Sequence, residues 1–581
     1  MNKKICLSPS FFIICGLAFG QQPKTTAVTS GQNDLPVSIQ IDATKTKGDL
    51  TPIWRFFGYD EANYTYMKDG KKLLSELGRL GGPQVFIRCH HLLTSGDGAP
   101  ALKWSSTNAY TEDAQGHPVY DWTITDHIFD TYLACGLKPY AQLGFMPEAL
   151  STHPQDYPHD PPANEKVKGA GFSYPPKDYA KWGELAYQWT KHCVQKYGQA
   201  EVETWYWEVW NEPNISYWRG SHEDYFKLYD YAVDGVRRAL PTARVGGPEV
   251  AGGAGGKFLH EFLDHCAHGK NYVTGQTGSP LDFISFHAKG APKFNAGHVE
   301  MGMDHQLANM NDAFGVIASF PEYKRTPIVI GESDPEGCAA CKGPQDGYRN
   351  GTMYSSYTAA SFPRALDLAD KHGVNLQGAL TWAFEFENQP YFAGFRVLAS
   401  NGLDLPVLNV FRMFSKMSGQ RLDVESSAGL DADTIRAKGI RGNPDVSALA
   451  SLDKNKLCIM VWNYHDDDVP GPAANIDLSL SGLEMQGSVK VTQYRVDQEH
   501  SNSYTAWQKM GSPQSPSPDQ YAELEKAGQL ARLDSPQDIV VGNGKARFHV
   551  TLPRQAVSLF VLEQSQEAGY PFHATGSIAH Q

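Results

Sequence analysis

The chain has 581 residues, of which 41% are hydrophobic and 20% charged, with a formal net charge of −13. This composition excludes a wholly disordered chain, and the acidic balance argues against a phosphate-binding face and so against nucleic acid as a partner. The length predicts two to four domains. Aromatic residues reach 12%, with 12 Trp, 28 Tyr and 27 Phe. Composition alone weights them first as core and second as flat apolar faces for a neutral ligand.

The first twenty residues have the form of an export signal. Lys3 and Lys4 precede an apolar stretch over 11–19, and Ala18-Phe19-Gly20 forms a small-x-small cleavage site before Gln21. The stretch is too short to span a bilayer, so export to the periplasm or medium without membrane anchoring is expected. Of 9 cysteines, Cys6 and Cys15 leave with the signal. The rest are scattered, which is not a disulfide-dense scaffold. Cys338 and Cys341 are the one close pair, read as a local disulfide or two ordinary thiols; a zinc site would need further ligands nearby.

A segment over 21–45 carries the strand-like run Val37–Thr44. From 46 to 420, apolar strand-like runs alternate with helical stripes. A weak strand at Ile53–Gly58 is followed by Gln84–His90. The helical stripe Ile124, Ile128, Phe129, Tyr132, Leu133 ends at Gly136, and Lys138–Pro147 is again a strand. Trp182, Leu185, Ala186, Trp189 and Cys193 mark one buried helix face. Strands at Thr204–Trp210, Ala243–Val250, Leu281–His287, Thr326–Glu332 and Leu376–Phe384 complete the run, with helices between and after them. Eight βα units without a dinucleotide fingerprint predict an α/β fold, a closed (β/α)8 TIM barrel. The run Gly252-Gly253-Ala254-Gly255-Gly256-Lys257 is not a phosphate loop, because Phe258 stands where Ser or Thr is required. Over 421–565, short alternating runs separated by Pro, Gly and Asp predict a C-terminal antiparallel β-sandwich, to which the 21–45 segment is expected to pair. Residues 566–581 form a tail. Gln508–Gln529, polar and Pro-rich, reads as a long surface loop, and Asp466-Asp467-Asp468 as an exposed hairpin tip.

In such a barrel, chemistry sits at the C-terminal ends of the strands. Two ends stand out: the fourth strand closes in Asn211-Glu212-Pro213-Asn214, and the seventh in Glu332-Ser333. Two carboxylates facing each other across a pocket suit glycoside hydrolysis, one protonating the leaving oxygen and the other attacking the anomeric carbon or activating water. Glu212 follows three tryptophans, and aromatic walls raise a carboxylate's pKa, so Glu212 is the acid/base candidate. Glu332 is then the nucleophile, held ionised by donors. His90 and His91 close the second strand, and alternation lets at most one face the pocket. His287 and Lys289 follow the sixth strand; Trp382, Glu385 and Glu387 follow the eighth. A metal held by His90, His287 and a Glu is set aside in favour of histidines bonding sugar hydroxyls. No metal and no cofactor are expected.

The ordered set of motifs resembles glycoside hydrolase family 39, the β-xylosidase and α-L-iduronidase family, and its β-xylosidase branch most. The similarity is carried by Tyr120-Asp121-Trp122 through Gly144-Phe145-Met146-Pro147, Trp210-Asn211-Glu212-Pro213-Asn214, Asp282 through His287, Gly331-Glu332-Ser333, and the sandwich segment from His500-Ser501-Asn502 to Ser512-Pro513. The resemblance implies double displacement with net retention. It implies Glu212 as acid/base, Glu332 as nucleophile, Asn211 on the sugar 2-hydroxyl, and His90 and His287 against the sugar or the nucleophile. Glu387, or Glu385 in its place, resembles a glycone-binding acid. Two departures matter: His91 stands where the xylosidases usually have glycine, and Lys289 resembles the iduronidase branch. A pocket lysine suits an anionic sugar; a lysine packed on a loop carboxylate such as Asp334 does not. The expected function is an exo-acting β-D-xylosidase on xylo-oligosaccharides or aryl glycosides. Its rivals are the same mechanism on another sugar (iduronidase-like, arabinosidase or galactosidase) and a catalytically silent carbohydrate-binding protein. The sequence leaves the oligomeric state open.

Overall fold

The structure is a computed structural model. It describes residues 34–564, apart from 83, 100–106, 159–169, 339–340, 342, 383–388, 395–397 and the side chains of 534–537. The export signal, the C-terminal tail, Glu385 and Glu387 therefore lie outside the described residues.

Eight parallel strands close a barrel: Phe56–Tyr59, Phe86–Cys89, Lys138–Leu143, Tyr206–Val209, Arg244–Val250, Phe283–His287, Pro327–Glu332, and an eighth in two pieces, Asn375–Ala379 and Thr381–Trp382. The eighth interrupts at Leu380. Its first piece pairs with the seventh strand, and its second pairs with the first strand, Thr381 opposite Phe57 and Trp382 opposite Gly58. All eight strands match the sequence expectation to within a few residues. The helix Lys68–Gly78 is an addition: three leucines, Leu73, Leu74 and Leu77, are the large apolar residues of its buried face, which also takes in Glu76.

Alternation along the strands sorts the aromatics into two layers. Phe56, Phe86, Tyr140, Tyr206, Phe283, Val329, Leu380 and Trp382 fill the barrel interior as one cluster. Trp205 and Trp207 point the other way, towards the helices, where Trp189 meets Trp207 and Phe129 meets Trp205. Wholly buried there, they are core between barrel and helices.

The second part is a nine-stranded sheet curled round one apolar cluster, to which both ends of the sheet contribute. The N-terminal strand Leu35–Asp49 lies inside it, antiparallel to Gln420–Ser426 and parallel to Ala474–Ser481. That one parallel pair departs from the all-antiparallel expectation, and arises because the strand enters from ahead of the barrel. The stretch expected as a loop at Gln508–Gln529 is largely helical: Pro518–Ala527 starts at a Ser517/Gln520 capping box, with Pro518 in the first turn. Leu524 and, from the preceding helix, Trp507 pack on Phe392, Leu403 and Leu405. Nor is Asp466-Asp467-Asp468 a free tip. Asp466 is fully buried, accepts from the Ile440 N–H and the Tyr464 hydroxyl, and its carbonyl accepts from the Met301 N–H. Among the described residues no helix is long and apolar enough to cross a membrane.

Barrel and sheet are joined by a buried ion pair. Arg364, on the helix Thr352–His372, donates to both Asp445 oxygens at 2.9 Å and to the Leu430 carbonyl, and its guanidinium lies over Trp462, whose indole N–H also reaches Asp445. Removing one partner strands the other charge in an apolar environment. Asp445→Ala is expected to cost about 3–5 kcal/mol, read from the urea midpoint.

Candidate active site

The C-terminal mouth of the barrel gathers the charged residues, and two irregularities aim them. In the fifth strand, Pro248 pairs with Ser285 and Val250 with Phe286, so Glu249 is an extra residue in a bulge, with φ +54°. In the seventh strand, Ile330 pairs with Phe286 and Glu332 with His287, so Gly331 is bulged in turn. Bulges re-aim side chains, and here both turn a carboxylate inward. Gly331 is required for a second reason: a Cβ there would meet the Glu249 carboxylate at 1.9 Å. Trp210 (φ +73°) and Glu212 (φ +46°) are also left-handed, as is His91 (φ +63°). Backbone conformations this unfavourable for residues other than glycine collect at functional sites, where surrounding structure holds them.

Glu332 is the most heavily neutralised carboxylate. Lys289 Nζ lies 2.8 Å from Oε2, while Arg88 Nη1 (3.5 Å), His90 Nε2 (3.6 Å) and His287 Nδ1 (3.8 Å) surround Oε1. Burial works to raise its pKa, but His287, Lys289, His90 and Arg88 hold it well below the usual carboxylate range. An anionic side chain in this position can attack carbon.

Glu212 is anchored by its backbone N–H to the Glu249 carbonyl at 2.9 Å, and its Oε1 lies 3.0 Å from His287 Nδ1. Glu332 Oε1 approaches the same nitrogen, so the nearest oxygens of the two glutamates are no more than about 7 Å apart. His287 is fully buried, and its other nitrogen, Nε2, lies 3.0 Å from Glu249. Burial opposes its charge, but Glu332, Glu212 and Glu249 together push its pKa up to about 10.

Beneath these lies a wholly buried set. Arg88 donates to Glu208 (2.6 Å) and to Asn211 Oδ1 (2.9 Å), and sits 3.6 Å from Glu249. Burial pushes Glu208 up despite Arg88; burial works the same way on Glu249, but Arg88, Glu208 and His287 bring it down to about 2. Arg88 and His287 thus hold Glu249 as an anion. Asn211 is fixed by Arg88 at its carbonyl end, so its amide N–H2 is the end left to donate.

Lys289 reaches both readings considered for it, holding Glu332 and also Asp334 Oδ2 at 2.7 Å. Asp334 is fixed by the Trp382 N–H (2.9 Å) and the Tyr354 hydroxyl (3.1 Å). His90 bonds Gln142 through Nδ1 (2.8 Å) and packs against Trp382, ring centroids 4.4 Å apart. His91 turns away, bonded to Thr94 and packed on Phe145 and Phe172. Its left-handed backbone is one that glycine adopts without strain.

Glu212, Glu332, His90, His287, Lys289, Asn211 and Trp382 thus assemble at one mouth. Trp205, Trp207 and Trp210 do not wall Glu212: the first two face the helices, and Trp210 packs under Phe145, Trp182 and Trp218. Tyr217 feels both carboxylates: it is stacked on Phe145, and its pKa is raised by burial and then by Asp60, Glu212 and Glu332. Arg88, Glu208, Glu249, Tyr217 and Asp334 were not picked out from the sequence as site residues. Arg88 and Glu208 carried a signal, being charged residues inside apolar strands. In the loop after the seventh strand, Cys338 and Cys341 are joined in a disulfide. The glycine-rich loop at 252–256 braces the site: the Gly253 N–H donates to the His287 carbonyl at 2.8 Å. There a Cβ would strike the Asn309 carbonyl at 2.4 Å.

The family model for glycosyl hydrolases family 39 matches residues 37–536. A β-xylosidase of Caldicellulosiruptor saccharolyticus is 27% identical over 455 residues, 75% of this chain and 82% of that protein. The mouse α-L-iduronidase is 25% identical over 537 residues, 84% of this chain and 75% of that protein. Among solved structures, a β-xylosidase of Caulobacter crescentus CB15 superimposes with a TM-score of 0.70 at 23% identity, covering 91% of this chain and 99% of that one. At that identity the likeness speaks for the fold. With the match running through barrel and sheet alike, the chain belongs to glycosyl hydrolase family 39 and is a glycoside hydrolase.

Proposed function

We propose that this glycoside hydrolase is an exo-acting, retaining β-D-xylosidase that releases xylose from xylo-oligosaccharides. The observation that carries the mechanism is the approach of Glu212 and Glu332 to the same nitrogen of His287. The bound this sets on their separation fits the close pair of a double displacement, at about 5–5.5 Å, better than the wider pair that must admit a water between carboxylate and sugar. Glu212 protonates the glycosidic oxygen while Glu332 attacks the anomeric carbon. The aglycone leaves with the proton, and water, deprotonated by Glu212, then displaces Glu332. Asn211 points its amide donor at the 2-hydroxyl.

The choice of sugar rests on the β-xylosidase relatives and on the charge balance. Lys289 is matched by Glu332 and Asp334, so its positive charge is already committed, which favours a neutral sugar over a uronic acid. A panel of aryl glycosides tests this. The β-D-xyloside is expected to give the highest kcat/KM, by about tenfold or more over the α-L-iduronide, α-L-arabinoside and β-D-galactoside; one misplaced polar contact is worth that much. A preference for the iduronide would overturn it, as would binding of every member without turnover. Export through residues 1–20 is part of the same reading. N-terminal sequencing of exported protein is expected to begin at Gln21, and retention of Met1 in the cell would contradict it.

A further inference from the structure

We infer that Glu249 is a positioning residue: it is the permanent counter-ion that keeps His287 an imidazolium throughout the catalytic cycle. The inference rests on the retaining mechanism proposed above.

His287 faces three carboxylates, and two of them lose their charge in turnover. Glu212 starts protonated, as the acid. Glu332 becomes a neutral ester once the sugar is attached. Glu249 alone touches no substrate: it is wholly buried, its carboxylate against the Gly331 backbone on one side and within 3.0 Å of His287 Nε2 on the other. Its remaining neighbours hold it charged. Arg88 stands 3.6 Å away and the Tyr140 hydroxyl donates at 3.3 Å. The charged groups facing His287 are Glu212, Glu332 and Glu249, with Lys289, His90 and Arg88 beyond Glu332 and Arg88 also beside Glu249. The fifth-strand bulge and its left-handed Glu249 bring this carboxylate under the histidine, while the Glu249 carbonyl holds the Glu212 N–H.

A fixed imidazolium serves both half-reactions. It donates through Nδ1 to Glu212 when Glu212 is a carboxylate, and so favours the base form needed to activate water. It also withholds a neutral imidazole that would compete with the leaving oxygen for the Glu212 proton. Without Glu249, the Glu212–His287 pair would hold one proton fewer at neutral pH, and the acid would be the form lost.

Glu249→Gln keeps the shape and removes the charge. Two readouts separate a charge effect from a structural one. The first is the pH profile of kcat/KM on xylobiose, which needs the acid. Its alkaline limb is expected to move down by about one pH unit or more, so that activity falls about tenfold further at the alkaline end than at the acid end. A uniform fall with an unmoved limb would make Glu249 merely structural and overturn the inference. The second is the nitrogen NMR titration of His287, assigned by its loss in His287→Asn. In the wild-type enzyme with Glu332 trapped as a 2-deoxy-2-fluoroxylosyl ester, His287 is expected to stay doubly protonated at pH 8. A neutral ring there would overturn the inference even if Glu249→Gln fails to fold. If no ester forms, the xylosidase reading fails. The free-enzyme titration still decides on Glu249, since its pKa should fall in Glu249→Gln and an unchanged value would refute the counter-ion.

Discussion

Glu332→Ala is expected to lower hydrolysis of an aryl β-D-xyloside by on the order of 10⁴-fold or more, the scale on which deleting a nucleophile acts. Sodium azide should then restore part of the turnover and give α-D-xylosyl azide. The small anion fits the space vacated by the carboxylate, where Lys289, Arg88, His90 and His287 remain to hold it. It attacks the anomeric carbon from that side, and Glu212 still protonates the leaving group. The product therefore carries the anomeric configuration opposite to the substrate. Because those four side chains hold Glu332 far below the usual carboxylate range, the wild-type enzyme should keep an ionised nucleophile well into acid solution. Near-wild-type activity in Glu332→Ala, measured by release of the aryl group, would contradict the assignment.

Glu212→Ala is expected to divide substrates by leaving group. On xylobiose, whose leaving alcohol needs a proton, kcat/KM should fall by about 10²–10⁴-fold, the usual worth of a general acid. On a dinitrophenyl β-D-xyloside, which needs none, kcat/KM should stay within about tenfold of wild type. In that case kcat and KM fall together, because the xylosyl-enzyme forms and then waits for a water that no base activates. Azide added to this variant attacks the intermediate from the opposite face and gives β-D-xylosyl azide. The two variants thus yield opposite anomers of one product, an outcome that a structural role for either glutamate does not produce.

How far the sequence reaches can be judged residue by residue. The barrel was legible because each buried strand is a short apolar run closing in a polar residue, and Glu212, His287 and Glu332 stand at such closures. The sandwich partners Gln420–Ser426 and Ala531–Val541 were not, since their apolar residues are sparse or interrupted by charge. Trp205 and Trp207 misled: they neighbour Glu212 in sequence, yet strand alternation sends them to the helix layer and sends Tyr206 and Glu208 inward. Glu249 was hidden for a different cause. It sits in the interior of a strand, and only a bulge, which depends on pairing with the sixth strand, turns it under His287. The capping box at Ser517 was readable in the sequence, but the surrounding prolines and polar residues outweighed it. What remained illegible was long-range: which carboxylates are buried together, and which cation stands between which anions.

The measurement closest to the central claim is the anomer first released. Wild-type enzyme is mixed with an aryl β-D-xyloside in deuterated buffer, and the anomeric protons of free xylose are followed by NMR before mutarotation intervenes. Double displacement by Glu332 and Glu212 predicts β-xylose first, with α-xylose appearing only at the rate of spontaneous mutarotation. Initial release of α-xylose would mean a single displacement by water, and neither the nucleophile nor the shared histidine would then have the role assigned to it.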